Sequence, residues 1–357
     1  MKVVVMGLPQ TGKKTLFELL ARRPLSAAEL SFHKPVVGIV EIRDPRFDRL
    51  VSLYRPEKIA RARIEIELLP ALNREDLAKG TVFKRIAEAD AICHVVRGFE
   101  DDTVYHVDGA PDARRDIAAV NAELILHDLV FADTRLGRIE HALKKKADDA
   151  ALREKVLLEK IKAHLEGERP LRTLPLSPEE RRMISGYPFI TGMQMIVALN
   201  VSEKAILDRG PLDQIAAQCR AAGIHAMAVS AKVEAEIARL ESEEERAAFL
   251  DASGIAEPAV DALTRLLLSA LDLVSFFTVG PDEVRQWLVR RGSAAPAAAG
   301  VVHSDMERGF IRAEVIRYDD LAALGSENAV KEAGKEYLKG KEYVVQDGDI
   351  LAIRFSV

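Results

Sequence analysis

The sequence has few of the features that mark secreted, membrane-spanning or nucleic-acid-coating proteins. Only two of its 357 residues are cysteines, Cys93 and Cys219, which argues against a disulfide framework and fits a reducing compartment. No apolar run approaches the roughly 18 residues of a membrane span, and the first residues read directly as a strand, so we expect no signal peptide and a cytoplasmic protein. The net charge of −5 argues against nonspecific nucleic-acid binding, and we expect no DNA partner.

The first fifteen residues carry the clearest motif of the chain. An apolar run from Val3 to Met6 breaks at Gly7, and a Gly-x-x-x-x-Gly-Lys spacing then leads into a predicted helix. Such a loop turns backbone N–H groups towards a phosphate at the positive end of a helix, while a lysine reaches the outer phosphates. The predicted phosphate-binding residues are Gly7, Gln10, Thr11, Gly12, Lys13, Lys14 and Thr15.

One position departs from this P-loop motif. The residue after Lys13 is normally Ser or Thr, whose hydroxyl helps to hold Mg²⁺, and here it is Lys14.

Strands and helices alternate after the loop. With Val3–Met6 as the first strand, apolar or β-branched runs at residues 36–42, 63–69, 91–96, 195–199 and 225–229 read as the second to sixth strands, and helical patterns lie between them. A length of 357 residues predicts two or three domains. We therefore expect an α/β fold, a doubly wound and mostly parallel sheet of the P-loop type.

A helical insertion is expected between the fourth and fifth of these strands. Leucines recur near heptad spacing at positions 124, 129, 136, 143, 152, 158 and 165, which predicts a long antiparallel helix pair joined near residues 147–151. The stripe is interpreted as the seam between the two helices, with a partner-binding groove as the alternative. Lys144–Lys146 at the predicted tip form either a solvated end or a contact for acidic RNA or protein.

The chain changes character again at Ser275. Short strands and turns suggest a separate α+β domain of about 80 residues that ends in a strand after the turn at Asp347-Gly348. Within it we predict a helix over residues 283–290 and a loop over residues 294–299.

The nucleotide base should be bound at the carboxyl ends of later strands of the same sheet. Asn200-Val201-Ser202-Glu203 follows the fifth strand and Ser230-Ala231-Lys232 the sixth. The first segment occupies the place of the Asn-Lys-x-Asp motif of GTPases, but with glutamate instead of aspartate. The alternative is that Asn200 and Ser202 only cap a helix. The predicted base-binding residues are Asn200, Val201, Glu203, Ser230, Ala231 and Lys232.

These motifs together resemble the YchF family of Obg-related P-loop proteins over essentially the whole chain. The resemblance is carried by the Gly-Leu-Pro-x-x-Gly-Lys loop, Pro35-Val-Val-Gly38, His94-Val-Val-Arg97-Gly-Phe-Glu100, Asn200-Val-Ser-Glu203, Ser230-Ala-Lys232 and the tail from Gly300 to Asp349. It implies a nucleotide-binding domain (residues 1–110 and 190–274), a coiled-coil insertion (residues 111–189) and a carboxyl-terminal TGS domain of β-grasp type (residues 275–357). It also implies ATP preferred over GTP, and a ribosome or RNA partner contacted through the helical arm and the TGS-like domain.

The departures from the family pattern fall together. Lys14 replaces the family's serine, Phe32 stands near the place of a switch threonine, and Leu68-Leu69-Pro70-Ala71 replaces Asp-Ile-Ala-Gly. The groups that would hold Mg²⁺ or sense the γ-phosphate are lost, so we assign no metal ligand and predict weakened magnesium binding. The candidates to replace the missing carboxylate are Glu67, Glu75 and Asp76.

Three functions remain open from the sequence. The first is a nucleotide-sensitive binding module with weak or absent hydrolysis, because Mg²⁺ supplies much of the charge stabilisation in phosphoryl transfer. The second is an active ATPase or GTPase with substitute metal ligands, and the third is an adaptor with an empty P-loop. Lys14 either replaces part of the charge of Mg²⁺ or points to solvent.

Overall fold

The structure is a computed structural model that describes residues 1–30, 34–72, 80–101, 103–104, 106, 109–240, 242–253, 255 and 257–356. Its strands are β1 (Lys2–Met6), β2 (Val36–Glu41), β3 (Lys58–Ala60), β4 (Arg63–Leu68), β5 (Ala91–Arg97), β6 (Gln194–Asn200), β7 (Ile224–Val229), β8 (Leu273–Thr278), β9 (Glu283–Arg290), β10 (Phe310–Arg317), β11 (Glu336–Lys339) and β12 (Asp349–Phe355).

The helices are α1 (Lys13–Ala21), α2 (Ala27–Leu30), α3 (Pro45–Tyr54), α4 (Thr81–Ala87), α5 (Ala113–Lys145), α6 (Asp149–Glu166), α7 (Pro178–Ile184), α8 (Glu203–Leu207), α9 (Arg209–Ala221), α10 (Ala231–Ile237), α11 (Glu243–Ala252), α12 (Ala259–Ala270), α13 (Ala295–Val302), α14 (Ser304–Arg308), α15 (Tyr318–Leu324) and α16 (Glu327–Glu332), with a 3₁₀ turn at Leu171–Thr173. Among these described helices, none combines the length and the apolar character needed to cross a bilayer.

The chain folds into two compact units. One contains Met1–Ile39 and Glu65–Leu263, and the other contains Val40–Ile64 and Thr264–Val357. The second unit thus includes residues 40–64, which the sequence analysis assigns to the first domain. The reason is the apolar face of α3, because Phe47 and Leu50 are buried in one cluster with Phe277 and Val284.

The sheet that carries the P-loop motif has the strand order β2-β4-β1-β5-β6-β7. The pairs β1–β4, β1–β5, β5–β6 and β6–β7 are parallel. Side chains of both β1 faces, from Val3 to Met6, are fully buried, as expected for a strand covered on both faces. The predicted doubly wound α/β fold is confirmed, and parallel pairing brings the ends of β1, β5, β6 and β7 to one edge.

The predicted helix pair is confirmed as α5 and α6, two helices of 33 and 18 residues. Each begins at an aspartate whose carboxylate accepts backbone N–H bonds, Asp112 for α5 and Asp148 for α6. The leucine stripe mostly forms the seam, since Leu136 and Leu158 are buried in one cluster. Leu152 is an exception, because its side chain is 46% exposed.

A buried polar network roots the helix pair in the first unit. The carboxylate of Asp128 on α5 is fully buried and accepts bonds from Ile190 N (2.9 Å), Thr191 N (2.7 Å) and Thr191 Oγ1 (2.6 Å). The guanidinium of Arg172 donates to Asn121 Oδ1 (2.8 Å), and burial lowers the pKa of Arg172 to about 10. Buried charges are tolerated only with such partners, so this network fixes the base of the arm.

The second unit contains a mixed sheet of order β11-β10-β12-β8-β9-β3. The pairs β10–β11, β10–β12 and β8–β9 are antiparallel, and β8–β12 and β3–β9 are parallel. Helix α13 packs in one core cluster of this unit, and α3, α15 and α16 contribute to another. The predicted turn at Asp347-Gly348 is confirmed, with Gly348 at φ 87°.

Two predictions for this unit are wrong. Residues 283–290 form strand β9 instead of a helix, because Val284 and Gln286 alternate into the interior along one face. Residues 294–299 fall largely within helix α13 instead of a loop, since Ala295, Ala298 and Ala299 are buried at 1% exposure or less. Alanine is a strong helix former, and its small side chain allows the helix to approach the sheet.

Candidate functional site

The glycine loop connects the end of β1 to the start of α1 in a shape that needs both glycines. Gly12 has φ 84°, and a Cβ there would lie 2.2 Å from Asn200 Nδ2. A Cβ on Gly7 would lie 2.4 Å from the carbonyl oxygen of Val95. Gln10, at φ 60°, is a non-glycine residue in the left-handed region, and Thr11 Oγ1 donates to the carbonyl oxygen of Leu8 (3.2 Å). The loop is thus held in one shape by contacts within the protein.

Lys13 lies inside this loop, with its side chain only 5% exposed. Its Nζ donates to the carbonyl oxygen of Gly7 over 2.8 Å. Burial, and then the nearby charge of Lys14, lower the pKa of the Lys13 ammonium to about 7. A buried cation with so little compensation favours an anionic ligand at this loop.

The amino terminus of α1 supplies further positive potential. Gly12 is its N-cap residue, without a side-chain cap, and the first turn contains no acidic residue. Lys14 and Thr15, the second and third residues of the helix, are half-buried. The predicted phosphate-binding residues therefore come together around a helix N-terminus of the kind that binds phosphate.

Asn200 holds the loop to a neighbouring helix. Its Nδ2 donates to Thr11 O (3.0 Å), and its Oδ1 accepts from Ala231 N (3.0 Å). Asn200 itself is 5% exposed at the end of β6. The sequence analysis predicts a base contact for this residue, whereas the structure shows its amide bonded to the protein on both sides.

The other predicted base-binding residues surround Asn200 with different exposures. Val201 is buried and donates its N–H to Val229 O (2.8 Å), and Glu203 is exposed as the first residue of α8. Ala231 is buried and Lys232 exposed at the start of α10. Ser230 Oγ is buried and has no hydrogen-bond partner within the described part of the chain. Ser202 caps α8 by accepting from Ala205 N, as the capping alternative predicts for this residue.

Arg97 is a structural residue of the site that the sequence analysis does not assign. It ends β5, pairs in register with Asn200 and is only 1% exposed. Its guanidinium donates to the carbonyl oxygens of Phe99 (3.1 Å), Asp101 (3.2 Å) and Val104 (3.0 Å). Arg97 thus shapes the loop after β5. An arginine at the end of an otherwise apolar buried strand is the signal that could have indicated this role.

Within the described residues, the two positions at which a P-loop protein ordinarily holds Mg²⁺ carry no oxygen ligand. Leu68, at the place of the expected carboxylate, has a fully buried apolar side chain, and Lys14 stands at the place of the hydroxyl. The carboxylate of Glu67 is buried in ion pairs with Lys2 and Arg85. Among the described residues no group of three or more His, Cys, Asp or Glu side chains could hold a metal ion. The predicted positions Phe32, Glu75 and Asp76 lie outside the described residues.

His94, in the motif after the glycine loop, is buried at 1% exposure in β5. Burial, and then the charge of Lys13, lower the pKa of His94 to about 3. The imidazole is therefore neutral.

The parallel sheet, the glycine loop and the buried lysine at a helix N-terminus define a P-loop domain. Comparison with known proteins identifies the family within this class. The family model YchF-GTPase_C, described as "Protein of unknown function (DUF933)", matches residues 273–356.

Full-length relatives are similar as well. The "Ribosome-binding ATPase YchF" of Bacillus subtilis (strain 168) is 39% identical over 362 residues, covering 99% of this chain and 98% of its own. "Obg-like ATPase 1" of Oryza sativa subsp. japonica is 36% identical, covering 100% of this chain and 92% of its own. The structure of the Schizosaccharomyces pombe YchF GTPase matches with a TM-score of 0.85 and 28% identity, covering 99% of this chain and 97% of that one. The chain belongs to the YchF family.

Proposed function

We propose that this protein binds adenine nucleotides, ATP in preference to GTP, at the P-loop and hydrolyses them weakly or not at all. The observation that carries the proposal is the contrast between the two sides of the site. The phosphate side keeps its glycine loop, the N-terminus of α1 without a side-chain cap, and the buried Lys13. The metal side has buried Leu68 and the cation Lys14 instead of a carboxylate and a hydroxyl.

Weak hydrolysis follows from the chemistry of phosphoryl transfer. The protein contributes mainly positioning and neutralisation of charge on the γ-phosphate, and Mg²⁺ supplies much of that neutralisation. Each ~1.4 kcal/mol of lost transition-state stabilisation slows the reaction about tenfold. Glu67 does not favour substitute metal binding, because its carboxylate is already paired with Lys2 and Arg85.

The preference for ATP is supported by the sequence after β6 and by the relatives. Guanine recognition in GTPases uses an aspartate that accepts the N1 and N2 hydrogens, and here the segment is Asn200-Val-Ser-Glu203. The Bacillus subtilis and Oryza sativa relatives are both described as ATPases.

Titration calorimetry with ATP, ADP, GTP and GDP, followed by steady-state phosphate release, tests this proposal. We expect tighter binding of the adenine nucleotides and phosphate release slower by several powers of ten than that of the Bacillus subtilis relative in the same assay. Tighter GTP binding would show that the interpretation of Asn200–Glu203 is wrong. Phosphate release as fast as that of the relative would support an active hydrolase with substitute ligands, and binding of no nucleotide would support an adaptor with an empty loop.

We further propose that the protein acts in the cytoplasm as a nucleotide-sensitive module on the ribosome. The support is that the Bacillus subtilis relative is described as ribosome-binding, together with the exposed lysines Lys144, Lys145 and Lys146 at the end of the helical arm. Co-sedimentation with ribosomes at low salt should decrease when these three lysines are changed to glutamine. Equal recovery of the triple variant would assign the contact to another surface, and no recovery of either protein would contradict ribosome binding.

A further inference from the structure

Lys14 lies at the position where a P-loop protein normally holds its divalent cation. It is the second residue of α1, next to Lys13. In the ordinary motif a hydroxyl at this position ligates Mg²⁺ beside the β- and γ-phosphates. The lysine therefore places a positive charge where the motif otherwise recruits one.

The ammonium of Lys14 contacts the neighbouring helix α2 and acts electrostatically on Lys13. Its Nζ donates to the carbonyl oxygen of Leu30, the last residue of α2. Its charge also contributes to lowering the pKa of Lys13, after burial, which is the larger cause.

Elsewhere on the metal side, the described residues at the expected ligand positions offer no free carboxylate for a divalent ion. Leu68 and Leu69 are buried at 1% exposure or less, and the Glu67 carboxylate is occupied by Lys2 and Arg85. A hard cation such as Mg²⁺ takes oxygen ligands, usually a carboxylate together with phosphate oxygens. A second cation beside Lys13 and Lys14 would also be repelled by both ammonium groups.

We propose that Lys14 takes the place of the divalent cation, so that this protein binds the free, metal-less form of its nucleotide. This inference rests on the proposed nucleotide binding and deepens it by naming the form of the ligand. In the bound state Lys13, Lys14 and the N–H groups at the start of α1 together neutralise the polyphosphate. Charge-assisted bonds from lysine to phosphate oxygens supply the stabilisation that the metal provides elsewhere.

The test is calorimetric titration of the full-length protein with ADP and ATP, once with Mg²⁺ and once with excess EDTA. The wild-type affinity should change by less than about threefold on chelation, because no metal-mediated bond is lost. Lys14→Gln should bind about tenfold or more weakly in EDTA, since a hydrogen bond to a charged group is worth about 1.5–3 kcal/mol. Lys14→Arg keeps the charge and should retain most of the affinity.

Lys84→Gln is the matched control, an exposed lysine on α4 whose loss should leave nucleotide binding unchanged. Thermal unfolding of each variant verifies folding. A large loss of wild-type affinity in EDTA would overturn the inference while leaving nucleotide binding intact, and so would equal affinity of Lys14→Gln and wild type in EDTA. Binding under neither condition would overturn the proposed function as well.

Discussion

Asn200 Nδ2 donates a hydrogen bond of 3.0 Å to the carbonyl oxygen of Thr11, joining the end of β6 to the phosphate loop. Because the other side of the same amide accepts from Ala231 N, one side chain positions both segments that border the predicted base site. Asn200 therefore fixes the position of both segments relative to each other.

Replacing Asn200 by alanine should weaken nucleotide binding and also destabilise the first unit. The change leaves the Thr11 carbonyl and the Ala231 N–H buried without partners, at about 1–3 kcal/mol for each group. Calorimetry and urea unfolding should show both losses together. Glu203→Ala, at an exposed neighbouring position, should leave stability unchanged. Retained stability in Asn200→Ala would show that the amide does not support the loop.

Gly12→Ala should abolish nucleotide binding. The methyl group would lie 2.2 Å from Asn200 Nδ2, and the residue would also be held at φ 84°. Gly292→Ala is a suitable control, since Gly292 has φ 83° with nothing within 4 Å of its added Cβ. The free energy of unfolding of the control should fall by only about 1–2 kcal/mol, the cost of holding a residue with a Cβ in the left-handed region. An equal decrease in unfolding free energy in both variants would mean that the contact with Asn200 carries no cost.

Nucleotide binding should be accompanied by proton uptake near neutral pH. The pKa of Lys13 is lowered to about 7 in the empty protein, and a bound phosphate raises it again by favouring the ammonium form. The bound state then carries more protons than the free state above pH 7, so the affinity falls as pH rises through this range.

The proton count follows from calorimetry with ADP in buffers of different ionisation enthalpy. At about pH 8 the phosphates of the ligand are already ionised, since their last pKa lies near 6. Uptake at that pH therefore reports on the protein. The uptake by Lys13 should disappear at about pH 6, where its ammonium is already present, and protons exchanged at that pH come from the ligand phosphate. A binding heat independent of the buffer at the higher pH would contradict this assignment.

Asp128→Asn should destabilise the base of the helix pair by about 3 kcal/mol. The buried carboxylate accepts from several donors, and the amide that replaces it turns its own N–H groups towards one of those donors. The change is measured as the free energy of unfolding in urea. Asp133→Asn, which removes a surface ion pair with Lys162 on the same helix pair, should cost less than about 1 kcal/mol. Similar losses in the two variants would show that the Asp128 network contributes no more than a surface pair.

The features that the sequence predicts well are those with local patterns. The glycine loop, the buried strands of the parallel sheet and the α5–α6 pair follow from spacing and periodicity over neighbouring residues. The wrong assignments arise where long-range packing decides. Residues 283–290 read as a helix until pairing with β8 places Gln286 in the interior, where its Nε2 donates to Ser275 Oγ (3.1 Å). Strand β3 has only three residues and no strand pattern of its own.

The candidate site shows the same division. The residues around the phosphate loop are contiguous in sequence, so their grouping is predictable from the motif. The roles of Asn200 and Arg97 depend on which backbone groups the fold brings against them, and no local pattern encodes that. Asp128 and Arg172 likewise bind segments that lie far from them in the sequence.

Strand β6 connects two of the anchor points described above. Just before it, Ile190 and Thr191 hold the carboxylate of Asp128 on the arm, and at its far end Asn200 holds the phosphate loop. A seven-residue strand extends about 20 Å, and β6 is paired with a strand on each side. The base of the helix pair and the phosphate loop are thus held at opposite ends of the same strand, β6.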